Sequence, residues 1–186
     1  MKFSGRHFAK DVILTTIRWY LRYKLSYRDI EELIAERGID VDHSTLNRWV
    51  VRYAPLLVTA ARNHKRSVGF SWRFDETYIK VRGHWKYLYR AVDKQGDTID
   101  FLLTAKRNTR AALRFLRQAI RNNGTPVKIN IDKSGANTAA IEAYNKECGS
   151  TIEIRQCKYL NNIVEQGHQR VKQKARAALG FKAFYC

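Results

Sequence analysis

The spacing of hydrophobic residues over the first third of the chain predicts a set of short helices. Between residues 8 and 53, apolar side chains recur at intervals of three and four, as on the buried face of an amphipathic helix. Ser26 and Asp29 form a weak capping box at the start of the second helix, and Ser44 is the expected N-cap of the third. The third helix is then expected to bury one apolar face, formed by Leu46, Trp49, Val50 and Tyr53. An all-α N-terminal unit of three helices follows from this pattern.

The opposite face of the third helix carries side chains that suit DNA. Three short helices, of which the last presents asparagine and arginine, are typical of a helix-turn-helix domain that places its final helix in the major groove. An ordinary three-helix unit with a solvated face is the alternative. The candidate DNA contacts on this face are Thr45, Asn47, Arg48 and Arg52.

After residue 70 the pattern changes from helical spacing to strands rich in aromatic and β-branched residues. Turns at Gly83 and Gly96 separate three of these strands and predict an antiparallel meander. A helix, a strand, a helix, a strand and a final helix follow, near 108–122, 127–132, 136–147, 151–156 and 161–178. This order predicts a mixed sheet covered by helices, in the α/β class.

A basic segment separates the two patterns. Pro55 and the run "RNHKRSVG" at 62–69 show no periodicity, so residues 56–69 are interpreted as a linker. The expected domains are therefore a helix-turn-helix at 1–55 and an α/β domain at 70–186.

Charge narrows the class of partner. The chain has 35 Lys and Arg against 17 Asp and Glu, a formal net charge of +18, and the excess is present in both halves. Such a surface repels itself unless a polyanion shares it, and nucleic acid fits that requirement. The 3 cysteines include no C-x-x-C pair, which argues against a disulfide scaffold and a zinc finger. No membrane-spanning run or signal peptide is present, so a cytoplasmic protein is expected.

Three acids occupy positions where chemistry is expected. Asp75 lies inside an aromatic strand, Asp132 ends the strand "KINI", and Glu165 lies on the last helix among basic residues. Each has an ordinary alternative: a strand-edge acid paired with Arg or Lys, a turn or capping residue, and a helix salt bridge. A divalent metal would compensate a buried Asp75, and strand ends are where α/β sheets place their sites.

The segments "FDETYIKVRGHWKYLYRAVDKQGDTIDF", "NIDKSGAN" and "NNIVEQGHQRVK" resemble the catalytic core of DDE transposases, and more narrowly of the insertion-sequence-six family of bacterial mobile elements. The N-terminal helices resemble that family's helix-turn-helix, so the resemblance runs almost end to end. It implies a ribonuclease-H-like (retroviral-integrase-like) core and two Mg²⁺ ions, with Mn²⁺ as a substitute. It also implies that Asp75, Asp132 and Glu165 are the catalytic, metal-binding triad. Lys172 matches the basic residue that the family keeps on the helix of Glu165, where it would contact a DNA phosphate.

The resemblance implies a transposase that binds terminal inverted repeats and catalyses metal-dependent strand cleavage and strand transfer. DNA ends and target DNA would be its partners, in a homodimer or larger assembly close to the bacterial nucleoid. A non-catalytic, truncated or domesticated repressor and a plain ribonuclease-H-type nuclease are the alternatives. Two features depart from the family: Gly167 replaces an acid found in many relatives, and the chain ends at Cys186, where the family continues. A C-terminal truncation is therefore expected.

Two further features of the second segment have open interpretations. His168 could orient a phosphate or approach the metal site, or it could be a surface or packing histidine. A stripe of arginines could follow a DNA backbone or be a solvated helix face. This stripe comprises Arg107, Arg110, Arg114, Arg117 and Arg121. Glu76, next to Asp75, is expected to point to the opposite face of the sheet.

Overall fold

The computed structural model describes residues 8–63, 67–177 and 180. Contacts divide the chain into two compact units. The first contains the described residues up to 63 together with those from 173 onward, and the second spans 67–172. The expected domain at 70–186 thus differs from the observed grouping at its C-terminal end.

The first unit has its core between three helices, α1 (Lys10–Arg22), α2 (Tyr27–Ala35) and α3 (His43–Asn63). The predicted apolar face of α3 is confirmed, because Leu46, Trp49 and Tyr53 are buried and Val50 packs against them in part. They meet isoleucines of the other two helices, namely Ile13, Ile17, Ile30 and Ile34.

The helix caps of this unit are partly as expected. The capping box is confirmed, since the Asp29 amide donates to Ser26 Oγ at 3.2 Å and the Ser26 amide donates to Asp29 Oδ2 at 2.7 Å. The N-cap expected at Ser44 is wrong. Asp42 takes this role, because its Oδ1 accepts hydrogen bonds from the amides of Ser44 and Thr45 at 2.7 and 3.3 Å. These bonds favour the carboxylate and lower the pKa of Asp42 well below its usual range.

The linker expected from residue 56 is also wrong at its start, since α3 runs through Pro55 to Asn63. Proline lacks only its own amide donor, and the Val51 carbonyl that loses this bond is on the exposed side of the helix. Leu57, on the other side, packs against the helical core and so favours continuation of the helix. The predicted linker residues 64–66 lie outside the described part of the chain.

The second unit is a five-stranded mixed sheet with helices. Its elements in chain order are β1 (Ser71–Val81), β2 (His84–Val92), β3 (Thr98–Thr104), α4 (Thr109–Asn123), β4 (Lys128–Ile131), α5 (Gly135–Cys148), β5 (Glu153–Gln156), a short 3-10 turn (Lys158–Asn161) and α6 (Asn162–Ala177). The strand order is β3-β2-β1-β4-β5, with β1, β2 and β3 antiparallel and β1, β4 and β5 parallel. This is the ribonuclease-H-like topology, so the expected fold class is confirmed.

The alternation of side chains along β1 assigns its residues to two faces. Trp72 and Phe74 point into the main core, where they meet Phe115 and Leu116 of α4 and Ile141 of α5. Arg73 and Asp75 point the other way, and Arg73 Nε donates to the carbonyl oxygen of Leu160 at 2.8 Å. Successive residues of β1 therefore meet different surroundings. Among the described helices, none is both long and apolar enough to span a membrane.

Candidate active site

The first two acids of the expected triad lie on neighbouring strands. In the parallel pairing of β1 with β4, Arg73 is opposite Asn130, and Asp75 and Asp132 each follow two residues after this pair. Burial raises the pKa of Asp75 to about 7, and the negative charges of Glu76, Asp132 and Glu165 contribute in that order. Asp132 and Glu165 are thus both within electrostatic reach of Asp75.

Asp75 has no Arg or Lys partner among residues 67–172. Its ion-pair contact there is His168 Nδ1, 3.5 Å from Oδ2. His168 is 5% exposed, and its pKa is lowered to about 4 by burial and by the charges of Arg90 and Lys172. A neutral imidazole does not neutralise a carboxylate, so the edge-acid alternative for Asp75 is not what the structure contains.

Asp132 and Glu165 also differ from their ordinary alternatives. Asp132 Oδ1 is buried and has no hydrogen-bond partner among the residues that the structure describes. The residue does not cap α5, whose N-cap is Ser134. Glu165 lies exposed in the first turn of α6, and it forms no ion pair within the part of the chain that the structure describes.

The donor set of this acid cluster (Asp75, Asp132 and Glu165) fits a hard divalent cation such as Mg²⁺. Carboxylate oxygens are the ligands that Mg²⁺ prefers, and the unpartnered Asp132 Oδ1 is an atom that a cation would satisfy. In the described residues, however, no three His, Cys, Asp or Glu side chains are gathered closely enough to hold an ion. Binding would therefore require the carboxylates to move closer together.

Basic residues of α6 and β2 surround this cluster. The Lys172 ammonium lies 4.5 Å from the centre of the Tyr78 ring. Arg90, opposite Asp75 in the β1–β2 register, donates from Nη2 to Thr98 Oγ1 at 2.8 Å. Its buried Nη1 has no hydrogen-bond partner within the described part of the chain. Burial and the charge of Arg170 lower the pKa of Arg90.

Gly167 provides the space for this guanidinium. A Cβ added at Gly167 would lie 1.7 Å from Arg90 Nη1. Gly167, where the sequence is expected to depart from the family, therefore lies against the guanidinium of a buried arginine.

A second polar cluster lies next to the first, on the α4 and α5 side of β1. The Glu76 side chain is only 5% exposed, and Arg107 Nε donates to its Oε1 at 2.5 Å. Asn137 Nδ2 donates to its Oε2 at 2.7 Å. Sequence reasoning placed Glu76 on this face but missed its partners. The available signal was a second acid inside an apolar strand, which needs compensation when it is buried.

The arginine stripe is less uniform than its spacing indicated. Arg107 precedes α4 and pairs with Glu76, and Arg117 pairs with Glu147 of α5. Acids of β1 and α5 thus accompany two members of the stripe. The other three arginines are exposed, and DNA binding by the five residues of the stripe stays a prediction.

In the first unit, Asn47, Arg48 and Arg52 are exposed on α3, as a DNA-contacting face requires. Thr45 is already engaged, since its hydroxyl donates to Asp42 Oδ2 at 2.8 Å and accepts from Arg48 Nη2 at 2.7 Å. DNA contact by these four residues stays a prediction.

Comparison with known proteins adds independent findings. A family profile described as a DDE domain matches residues 69–186. The chain is 41% identical over 176 residues to the transposase for insertion sequence-like element IS431mec of Staphylococcus aureus, covering 91% of this chain and 76% of that protein. It is 40% identical, with the same coverage, to the transposase for insertion sequence element IS257 in transposon Tn4003 of the same species. The HTLV-2 integrase catalytic core domain in complex with magnesium is similar over 58% of this chain and 70% of that chain, at 19% identity and a TM-score of 0.48.

Proposed function

The chain belongs to the insertion-sequence-six family of DDE transposases, and we propose that it binds the terminal inverted repeats of an insertion sequence and catalyses metal-dependent DNA strand cleavage and strand transfer. DNA transposition and recombination would be the outcome. The proposal covers a chain that spans about three quarters of the length of the relatives it matches.

One observation supports this function more than any other: a buried acid is left without a cationic partner in the described residues. Burial and neighbouring acids raise the pKa of Asp75 to about 7. A fold gains no stability from such a group, whereas a metal site requires it. A carboxyl group whose pKa is raised by burial and by neighbouring acids is typical of a functional site.

Asp75, Asp132 and Glu165 would hold one or two divalent ions. When bound, Mg²⁺ or Mn²⁺ supplies Lewis-acid activation of the attacking oxygen and stabilises the leaving oxygen at phosphorus. The chain's own residues then have separate roles. Asp75 must be deprotonated, His168 contacts Asp75 and fixes its orientation, and Lys172 supplies positive charge for a phosphate on the same helix.

Recognition of the DNA ends would be the role of the first unit. Asn47, Arg48 and Arg52 are exposed on α3, and asparagine and arginine suit base edges and phosphates. The formal net charge of +18 would supply attraction to DNA independent of sequence. Two ends must be joined, so we expect a homodimer or larger assembly, located in the cytoplasm at the nucleoid.

A plasmid assay on the full chain tests the proposal. The substrate is a supercoiled plasmid that carries the gene with its flanking DNA, and the readout is nicking and joining in Mg²⁺ or Mn²⁺. Asp132→Asn should abolish cleavage and joining but retain binding to the same DNA. Glu142→Gln, at an exposed acid of α5, is the control for loss of a negative charge. Cleavage retained by Asp132→Asn would remove Asp132 from the site, and binding without cleavage by the unaltered chain would favour the non-catalytic repressor.

A further inference from the structure

Arg107 is held at the edge of the acid cluster by an acid that is not part of it. Its Nε donates to Glu76 Oε1 at 2.5 Å, and the second Glu76 oxygen accepts from Asn137 at 2.7 Å. Glu76 thus has both oxygens occupied, and it comes directly after Asp75 on β1. The Glu76 carboxylate fixes the direction in which the guanidinium extends.

The guanidinium has two amino groups left over. Only Nε of Arg107 has a partner among the described residues, so Nη1 and Nη2 remain free to bind a ligand. The side chains of the pair differ sharply in exposure, 51% for Arg107 against 5% for Glu76. An arginine whose Nε is fixed and whose two terminal groups reach solvent presents the fork that pairs with two oxygens of a phosphate.

Arg107 lies within electrostatic reach of one residue of the acid cluster. The negative charges of Glu76 and Asp132 both raise the pKa of Arg107. Arg107 is therefore close enough to Asp132 for their charges to interact, and its bond to Glu76 holds it beside the strand that carries Asp75. A DNA strand held at the acid cluster would carry its phosphates past this fork.

We propose that Arg107 contacts a backbone phosphate of the DNA strand held at the acid cluster, through Nη1 and Nη2, and that Glu76 is the positioning residue that aims it. This inference rests on the proposed function and adds to it a defined phosphate contact for one member of the arginine stripe and a positioning role for Glu76. The competing interpretation is a purely structural ion pair that ties the start of α4 to β1.

Lysine separates the two interpretations, because it keeps the charge that neutralises Glu76 but cannot offer a fork. The assay is nicking of the gene-carrying supercoiled plasmid in Mg²⁺ or Mn²⁺, with thermal unfolding of each full-chain variant measured in parallel. Arg107→Lys should lose roughly 10- to 100-fold in nicking rate, as expected for one charged hydrogen-bonding contact, while unfolding close to the unaltered chain. Arg155→Lys is the matched control, because Arg155 is an exposed arginine that also pairs with an acid, Glu153 on β5, and it should nick normally.

A double-mutant cycle tests the positioning role of Glu76. Glu76→Gln alone should lower the nicking rate, but in an Arg107→Ala background it should add little further loss, because the residue it aims is absent. Equal losses in the two backgrounds would overturn the positioning role. Arg107→Lys that nicks like the unaltered chain, or that loses activity only in proportion to its unfolding, would overturn the contact. If the unaltered chain does not nick the plasmid, the proposed function fails first, and this inference fails with it.

Discussion

Asp75 and Glu76 are consecutive acids on β1, yet the two faces of the strand give them opposite surroundings. Glu76 is bonded to Arg107 and Asn137, so its charge is compensated by the chain itself. Asp75 has a neutral histidine as its contact and acids as its charged neighbours, and its pKa rises to about 7. The alternation of a strand thus allows one acid to support the fold while the next is kept uncompensated for a ligand.

Amide substitutions at the two acids should have the most divergent effects. Asp75→Asn should abolish DNA cleavage yet stabilise the fold, because it removes a buried charge that costs on the order of 4 kcal/mol above pH 7. Glu76→Gln should instead destabilise the fold by about 1–2 kcal/mol, because it weakens a buried charged pair. Urea unfolding at pH 8 in EDTA measures both. Shifts of the same sign would end the contrast between the two faces.

The pH dependence of stability should reflect the same contrast. Asp75 in the folded chain keeps its proton up to about pH 7, whereas in the unfolded chain it releases the proton near its usual value of 3.8. Between these values the folded state binds more protons, so stability should fall as pH rises. Unfolding midpoints measured in EDTA from pH 4 to pH 8 should show this fall. Asp75→Asn should flatten it, whereas Glu76→Gln should reduce it only in part, because burial is the larger cause of the raised pKa of Asp75.

Binding of a divalent metal should offset the destabilising negative charge of Asp75 and should not depend on Glu76. At a Mg²⁺ concentration about 100 times its dissociation constant, the folded state should gain about 2.7 kcal/mol. The gain should vanish in Asp75→Asn and Asp132→Asn but persist in Glu76→Gln. Thermal unfolding at pH 8, with Ca²⁺ and Na⁺ as control salts, measures the effect without requiring cleavage. A Mg²⁺ response retained by Asp75→Asn would place the ion elsewhere.

The arginine of the Asp75 face offers a smaller test. Gly167→Ala places a Cβ 1.7 Å from Arg90 Nη1, so the guanidinium must move, at a cost of about 1–3 kcal/mol. Gly135→Ala is the matched control in another helix, where an added Cβ meets nothing within 4 Å, and it should be nearly neutral. Gly167→Asp should recover part of the loss, because its carboxylate can pair with Arg90. Equal stability of the two alanine variants would show that Arg90 is not held at this glycine.

The order of elements could be predicted because it depends on local patterns, whereas the triad assignment rests on the family resemblance and stays a prediction. Aromatic and β-branched runs predicted β1, β2 and β3, and Asp132 followed from its place at the end of β4. The cap of α3 could not be predicted as easily. Asp42 and Ser44 are both good N-cap residues two positions apart, and the choice depends on which oxygen reaches the free amides.

The remaining differences depend on contacts between residues that are distant in sequence. The continuation of α3 past Pro55 depends on a core to which α1 and α2 contribute. The local sequence near Leu57 does not indicate that this residue packs against that core. The pairing of Glu76 with Arg107 and Asn137 joins three elements. Regular spacing grouped Arg107 with the helix that follows it, whereas an acid of β1 determines where its side chain lies.

The strand pairing also bears on the order in which the molecule acquires its chemistry. The three antiparallel strands are joined by short turns, so their contacts are local and form quickly, whereas β4 and β5 add in parallel only after α4 and α5 have crossed the sheet. Asp75 belongs to the early hairpin, while Asp132 and Glu165 arrive with the late elements. During synthesis, an emerging chain would carry a folded meander with one carboxylate of the expected triad. Under the proposed function, such an intermediate would be unable to cut the DNA beside it until most of the second unit had been made.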